Sequence, residues 1–121
     1  MTNGAQLSTA IAALAWKDAH CLLRTAELAA ALSIEALQGV RRAFRAAVHA
    51  YRPYPGAQAS AARLLDLLSG SSLVDSIPGK VQDAYALRCS PVILGAARDV
   101  LDFAEKMLSI EASAVTDNPL I

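Results

Sequence analysis

The densest run of chemically capable side chains is Gln82-Asp83-Ala84-Tyr85-Ala86-Leu87-Arg88-Cys89, followed at once by Ser90-Pro91. Serine as N-cap with proline at the first helical position is a helix start. Such a terminus carries unpaired N–H groups and partial positive charge, which attract anions. Arg88 beside it adds a planar fork of donors matched to a carboxylate. Tyr85 and Gln82, three residues apart, can face the same way and supply hydrogen bonds. The chemistry expected of this set is recognition of a small carboxylate. The same residues also read as scaffold, with Arg88 paired to Asp83 and Tyr85 covering a core.

Other chemically capable residues carry less. Asn3-Gly4 reads as a turn or cap ahead of the first helix, His49 as a structural residue in a proline-flanked loop, and His20 as a helix residue. Cys89 has no histidine near it in sequence to act as its base, which argues against a nucleophile. Arg41, Arg42 and Arg45 read as a solvated or interface face. The sequence holds no phosphate-binding loop, no dinucleotide-binding glycine pattern and no metal-ligand spacing.

The elements that must position these residues are helices. A long segment from about Ser8 to Ile34 places Leu7, Ile11, Leu14, Cys21, Leu28 and Leu32 on one seam in steps of three, four and seven. A shorter helix through Ala36 to about Gly39 is expected next, and then the irregular loop His49-Ala50-Tyr51-Arg52-Pro53-Tyr54-Pro55-Gly56. A compact helix over Ala57 to Leu68 turns its Leu64, Leu65, Leu67 and Leu68 inward and stops at Gly70. Ser69 to Lys80 reads as a loop. The last long helix, with Ser90 as its cap, has the seam Leu94, Ala97, Leu101, Ala104 and Leu108 and ends by Thr116-Asp117-Asn118-Pro119.

Composition sets the class. Of 121 residues, 26 are Ala and 17 Leu against six aromatics, which favours helix and leaves too few strand formers for a sheet protein. The expectation is a single all-α unit over residues 1–121. Eleven basic and eleven acidic side chains cancel, removing the electrostatic case for nucleic acid or an anionic membrane. No apolar run reaches the 18 or so residues of a bilayer span. The Met1-Thr2-Asn3-Gly4 start has no positive region of a signal peptide, and two cysteines make no disulfide framework, so a cytoplasmic location is expected. Hydrophobic residues at 55% and charged ones at 18% leave a lean surface for a monomer. A rod of roughly 25 helical residues is about 38 Å long, against about 35 Å for the diameter of a compact domain this size. Such rods want partners, so a homo-oligomer, dimer or tetramer, is expected.

Four strings then stand in a telling order: Asn3-Gly4-Ala5-Gln6, His49 to Gly56, Gln82 to Pro91, and Ala114-Val115-Thr116-Asp117-Asn118-Pro119. Together they resemble the aromatic amino acid ammonia-lyases, in particular the bacterial histidine ammonia-lyase branch, over nearly the whole chain. The resemblance implies the central long-helix bundle of that fold and a homotetramer whose active sites are shared among subunits. It implies non-oxidative loss of ammonia from an aromatic amino acid. By the same resemblance Asn3 is the asparagine near the electrophile and substrate carboxylate, Arg88 binds that carboxylate, Tyr85 is an active-site tyrosine, and Gln82 helps hold the substrate end.

The family's electrophile is a methylidene-imidazolone ring made by cyclisation of an internal Ala-Ser-Gly. No Ala-Ser-Gly exists here; the nearest strings are Leu68-Ser69-Gly70 and Ala112-Ser113-Ala114. In the family that triad and the tyrosine base precede the Asn-Gly motif, and further pocket residues follow Ile121. Ala5 replaces the usual Thr, Val92 the usual Gln, and Tyr54 the frequent His. The expectation is therefore a truncated, ammonia-lyase-like helical segment, inactive alone and without cofactor of its own. The alternatives are one half of a split lyase completed by a separate chain, and a helical interaction protein without catalysis.

Overall fold

The computed structural model describes residues 4–115, and among them every regular element is helical. Five α-helices run in the order α1 (Ala5–Ala36), α2 (Ala46–His49), α3 (Pro55–Leu67), α4 (Tyr85–Arg88) and α5 (Ser90–Ser113), with a 3-10 turn over Arg41–Phe44. The all-α expectation holds. Ser69 to Lys80 contains no helix, as expected of that stretch.

Helix α1 is one rod of 32 residues, roughly 48 Å long at about 1.5 Å per residue. It contains neither Gly nor Pro, so nothing interrupts its backbone ladder. A separate short helix ending near Gly39 does not form, because α1 continues through Ala36 and stops in a turn at Leu37–Gln38. The face it buries in its own chain is Leu23, Glu27, Ala31 and Ile34. The expected seam of Leu7, Ile11, Leu14, Cys21, Leu28 and Leu32 is exposed instead. Apolar residues stand on several sides of this helix, and the contacts of α3 and α5 decide which side turns inward.

The core sits at the C-terminal end of α1, where Ala31, Ile34, Phe44, Leu64, Leu68 and Val74 pack together. Helix α3 supplies Leu64 and its C-cap Leu68, and Leu65 and Leu67 lie half-buried against the cluster as the leucine run predicts. Gly70, at φ +77°, takes the left-handed conformation just past that helix. Beneath the apolar cluster lies a polar network. Glu27 Oε1 accepts from Ser60 Oγ and from Arg98 Nη2, both at 2.7 Å, tying α1, α3 and α5 together.

Helices α3 and α5 cross backbone on backbone. A Cβ on Gly95 would overlap Ala57 N and Cα, and one on Gly56 would overlap the Gly95 carbonyl. Only a pair of glycines permits this approach. Asp99 Oδ1 accepts the Gly56 N–H at 2.7 Å, satisfying one orphan donor of the α3 N-terminus from a neighbouring helix. Farther along, Trp16 Nε1 donates to the Leu101 carbonyl at 2.9 Å, joining α1 to α5. The α5 seam at Leu94, Leu101, Ala104 and Leu108 is half-buried, while Ala97 is exposed.

The start of α5 differs from the expected serine cap. Cys89 is the cap residue, Ser90 is already helical, and Ser90 Oγ donates to the Leu87 carbonyl at 2.8 Å. The short helix α4 leads straight into α5, with only Cys89 between them. The Val92 and Ile93 N–H groups both turn back to the Cys89 carbonyl. The last helix ends at Ser113, a little before the expected Thr116 boundary. Asn3 and the Asp117-Asn118-Pro119 string lie outside the described residues.

Candidate functional site

A cavity of about 520 Å³ opens between the 3-10 turn, the His49–Tyr54 loop and the segment before α5. Its polar wall includes Arg42, His49, Arg52, Gln82, Arg88 and one acid, Asp83. Its size falls within the range of small-molecule sites, roughly 300–1,000 Å³.

Arg88 occupies the last turn of α4, where its Nε is shielded from solvent and makes no hydrogen bond. The guanidinium stacks over the Tyr85 ring, 5.4 Å from its centroid, a cation–π contact that fixes the plane of the fork. No carboxylate pairs with Arg88 among the described residues. The expected scaffold pairing with Asp83 is therefore not made. Asp83 is buried and bound to Lys80, Nζ to Oδ1 at 2.8 Å, while its Oδ2 accepts the Val40 N–H at 2.7 Å. Nor does Tyr85 cover a core, since it is 69% exposed and stands off the cavity wall.

The helix-terminus part of the carboxylate reading needs revision as well. The N–H groups of Leu87 and Arg88 bond the Ala84 carbonyl, and that of Cys89 bonds the Tyr85 carbonyl. With the Cys89 N–H taken by Tyr85, that of Val92 turned back to Cys89, and none on Pro91, the α5 terminus keeps few donors for an anion. What remains for a carboxylate is the side-chain set, Arg88 and Gln82 on one wall.

The arginine group after α1 is more than a solvated face. Arg41 Nη2 donates to the Ser71 carbonyl at 2.7 Å, and its backbone N–H to Asp75 Oδ1 at 3.0 Å. Arg42 Nη2 donates to the Val81 carbonyl at 3.0 Å, which steadies the chain next to Gln82. Arg45 is exposed.

Sequence spacing missed that the His49–Tyr54 loop shares a cavity with Arg88, because the two are about forty residues apart. The repeated Tyr and Pro of that loop were the available signal. His49 is buried, with Nε2 3.2 Å from the Ala43 carbonyl; a carbonyl only accepts, so Nε2 carries the proton. Arg52 stacks over Tyr54 at 5.6 Å. Cys89 lines the same cavity as His49, yet no hydrogen bond joins them, and no thiol–imidazole pair forms. His20 lies elsewhere, against the Trp16 ring at 5.4 Å. Among the described residues no group of His, Cys, Asp or Glu could hold a metal ion. No helix there is long and apolar enough to cross a membrane.

A helical segment that presents an unpaired arginine and a glutamine to one cavity offers donors of the kind a small carboxylate takes. Residues 1–121 match the aromatic amino acid lyase family, and the chain belongs to that family. It is 49% identical to the histidine ammonia-lyase of Deinococcus radiodurans and 45% identical to that of Clostridium tetani, all of the chain aligning with 24% of each. The chain thus spans about a quarter of the length of these relatives. Among solved structures, ergothionase from Treponema denticola, an ergothioneine-degrading enzyme crystallised with desmethyl-ergothioneine sulfonic acid, superposes with a TM-score of 0.82 at 30% identity. It covers 92% of this chain and 22% of its own.

Proposed function

We propose that these residues form the carboxylate-holding wall of an ammonia-lyase active site acting on an aromatic amino acid. Arg88 takes the substrate carboxylate and Gln82 hydrogen-bonds the same end. Tyr85 holds the plane of the guanidinium and meets the substrate from its exposed side when a further surface closes there. The observation that carries the reading is Arg88 itself, a cation at the cavity wall with its Nε shielded and unbonded, while the neighbouring acid is committed to Lys80. A buried donor left unbonded costs about 1–3 kcal/mol, which a bound carboxylate recovers.

The family's methylidene-imidazolone does not fit the residues present, since its ring is built from Ala-Ser-Gly and these 121 residues contain none. Arg88 and Gln82 position an acid but provide no electron sink for removing the β-proton. In this reading the 121 residues alone are catalytically silent, and turnover belongs to their combination with a polypeptide that carries the triad.

Two features support an assembled protein. Leu7, Ile11 and Leu14 on α1 and Val100, Phe103, Met107 and Ile110 on α5 are exposed, rows of large apolar side chains of the kind that mark association surfaces. The roughly 48 Å rod of α1 also exceeds the diameter of about 35 Å expected of a compact unit this size. In this reading each site is completed by another subunit of a dimer or tetramer in the cytoplasm.

Titration of the chain with cinnamate, followed by NMR, tests the assignment. The Arg88 side-chain resonance should shift with a dissociation constant in the millimolar range. The accompanying shift of the Gln82 side-chain amide on the same cavity should vanish in Arg88→Ala, with the sedimentation coefficient unchanged. An unresponsive Arg88, or an Arg88→Ala variant that falls apart, would make the residue scaffold instead of site.

A further inference from the structure

We infer that Lys80 and Asp83 are positioning residues that lock the Gln82–Arg88 segment to the C-terminal end of α1 and so set where Arg88 presents its guanidinium. The inference rests on the proposed role of Arg88 for its functional meaning. The clasp itself stands on separate observations.

Helix α1 ends in a tight, nearly self-contained turn. The Gly39 N–H reaches back to the Ile34 carbonyl at 2.8 Å and the Gln38 N–H to the Glu35 carbonyl at 3.0 Å. That is a Schellman arrangement with Gln38, at φ +50°, where glycine is usual. The two carbonyls beyond it, Leu37 and Gln38, both accept from Lys80 Nζ, at 3.1 and 2.9 Å. An ammonium here meets the negative end of the helix dipole. The same nitrogen lies 2.8 Å from Asp83 Oδ1, and Asp83 Oδ2 takes the Val40 N–H at 2.7 Å. The carboxylate is 1% exposed and the ammonium 23%, so solvent screens the pair little. A Cβ on Gly39 would sit 2.5 Å from Ile34 Cγ2 and 3.1 Å from Asp83 Oδ2, so the turn and the carboxylate pack with no spare volume.

The segment that leaves this clasp is the one that carries the site. Ala84 follows Asp83 directly, and its carbonyl accepts the N–H of both Leu87 and Arg88. Fixing Asp83 therefore fixes the first turn of α4, and Arg88 emerges one turn later. On the other side of Gln82, the Val81 carbonyl is held by Arg42. The polypeptide from 80 to 84 is pinned at Lys80, Val81 and Asp83, and the residue between the last two pins is Gln82. A displacement of the α1 terminus is transmitted to both carboxylate-binding groups together.

Amide exchange and cinnamate titration of the chain separate the clasp from the carboxylate reading. In Lys80→Met, which removes both carbonyl bonds and the ion pair of buried Asp83, exchange should quicken by at least about tenfold at Gly39 and Val40 and equally at Leu87 to Cys89. The middle of α3 and of α5 should stay as protected as before, with helicity retained. Cinnamate affinity should fall by a similar factor, and Lys80→Arg should restore both. Asp83→Asn, which keeps an acceptor for Val40 but loses the charge, should show the same coupled pattern if Lys80→Met does not fold. Faster exchange confined to Gly39 and Val40, or a loss of affinity that Lys80→Arg leaves unrepaired, overturns the inference. Coupled exchange in a chain that never binds cinnamate would keep the clasp and remove the carboxylate reading.

Discussion

Replacing Gly95 by alanine puts the largest weight on the smallest change. The added Cβ would fall within contact distance of Ala57 N and Cα and 2.6 Å from Gly56 C, all of them backbone atoms. No rotamer relieves such a contact, so α3 must move away from α5. Overpacking costs typically about 1–3 kcal/mol, and a backbone clash belongs at the upper end. Alanine in a helix interior returns about 1 kcal/mol relative to glycine. The net loss is about 2 kcal/mol, which lowers the melting temperature of a unit this size by about 8 °C. Ala96→Gly, at the exposed neighbouring position, calibrates the propensity term alone. Because α3 begins right after the His49–Tyr54 loop, Gly95→Ala should also weaken cinnamate binding at Arg88. Thermal melting by circular dichroism reads the first effect and titration the second. A variant that melts at or above the wild-type temperature would refute the backbone crossing, since the propensity gain would then be the whole effect.

Asp99→Ala should cost about 1–3 kcal/mol by orphaning the buried Gly56 N–H, while Asp99→Asn keeps an acceptor and should melt near the wild type. Glu27→Ala, which strands Ser60 and Arg98, should destabilise by about 3–5 kcal/mol. Denaturant titration should find Asp66→Ala, from the exposed Arg63 pair, within about 0–1 kcal/mol of wild type. Sedimentation at micromolar concentration should find an oligomer; a well-folded monomer would contradict the role given to the exposed faces of α1 and α5.

How far residues alone reach is clear from where they succeed. Helix α3 and its stop at Gly70 follow from a leucine cluster and a left-handed glycine, both local signals. Helix α5 follows from Pro91, though the cap moved to Cys89 because Ser90 Oγ found the Leu87 carbonyl first. Helix α1 has apolar residues all around, so periodicity alone selects Leu7, Ile11 and Leu14 as readily as Leu23, Ala31 and Ile34. The pairing of Asp83 is the sharper case. Arg88 is nearby in sequence, but Lys80 alone also reaches the carbonyls of the turn that ends α1, a contact between residues more than forty apart. Gln82 and Arg88 were visible as a pair because the motif holds them together in sequence; the Tyr51–Tyr54 wall was not, because only the fold brings it there.

The most direct measurement is a segment exchange. The 121 residues, replacing the corresponding quarter of the Deinococcus radiodurans histidine ammonia-lyase, should yield an enzyme that forms urocanate, followed by its absorbance. Arg88→Ala in that hybrid should lower kcat/KM by roughly 10- to 150-fold, the worth of one charge-assisted carboxylate contact. A hybrid with the parent's helicity and size that forms no urocanate, or one indifferent to Arg88→Ala, would contradict the assignment of this segment as the carboxylate-holding wall.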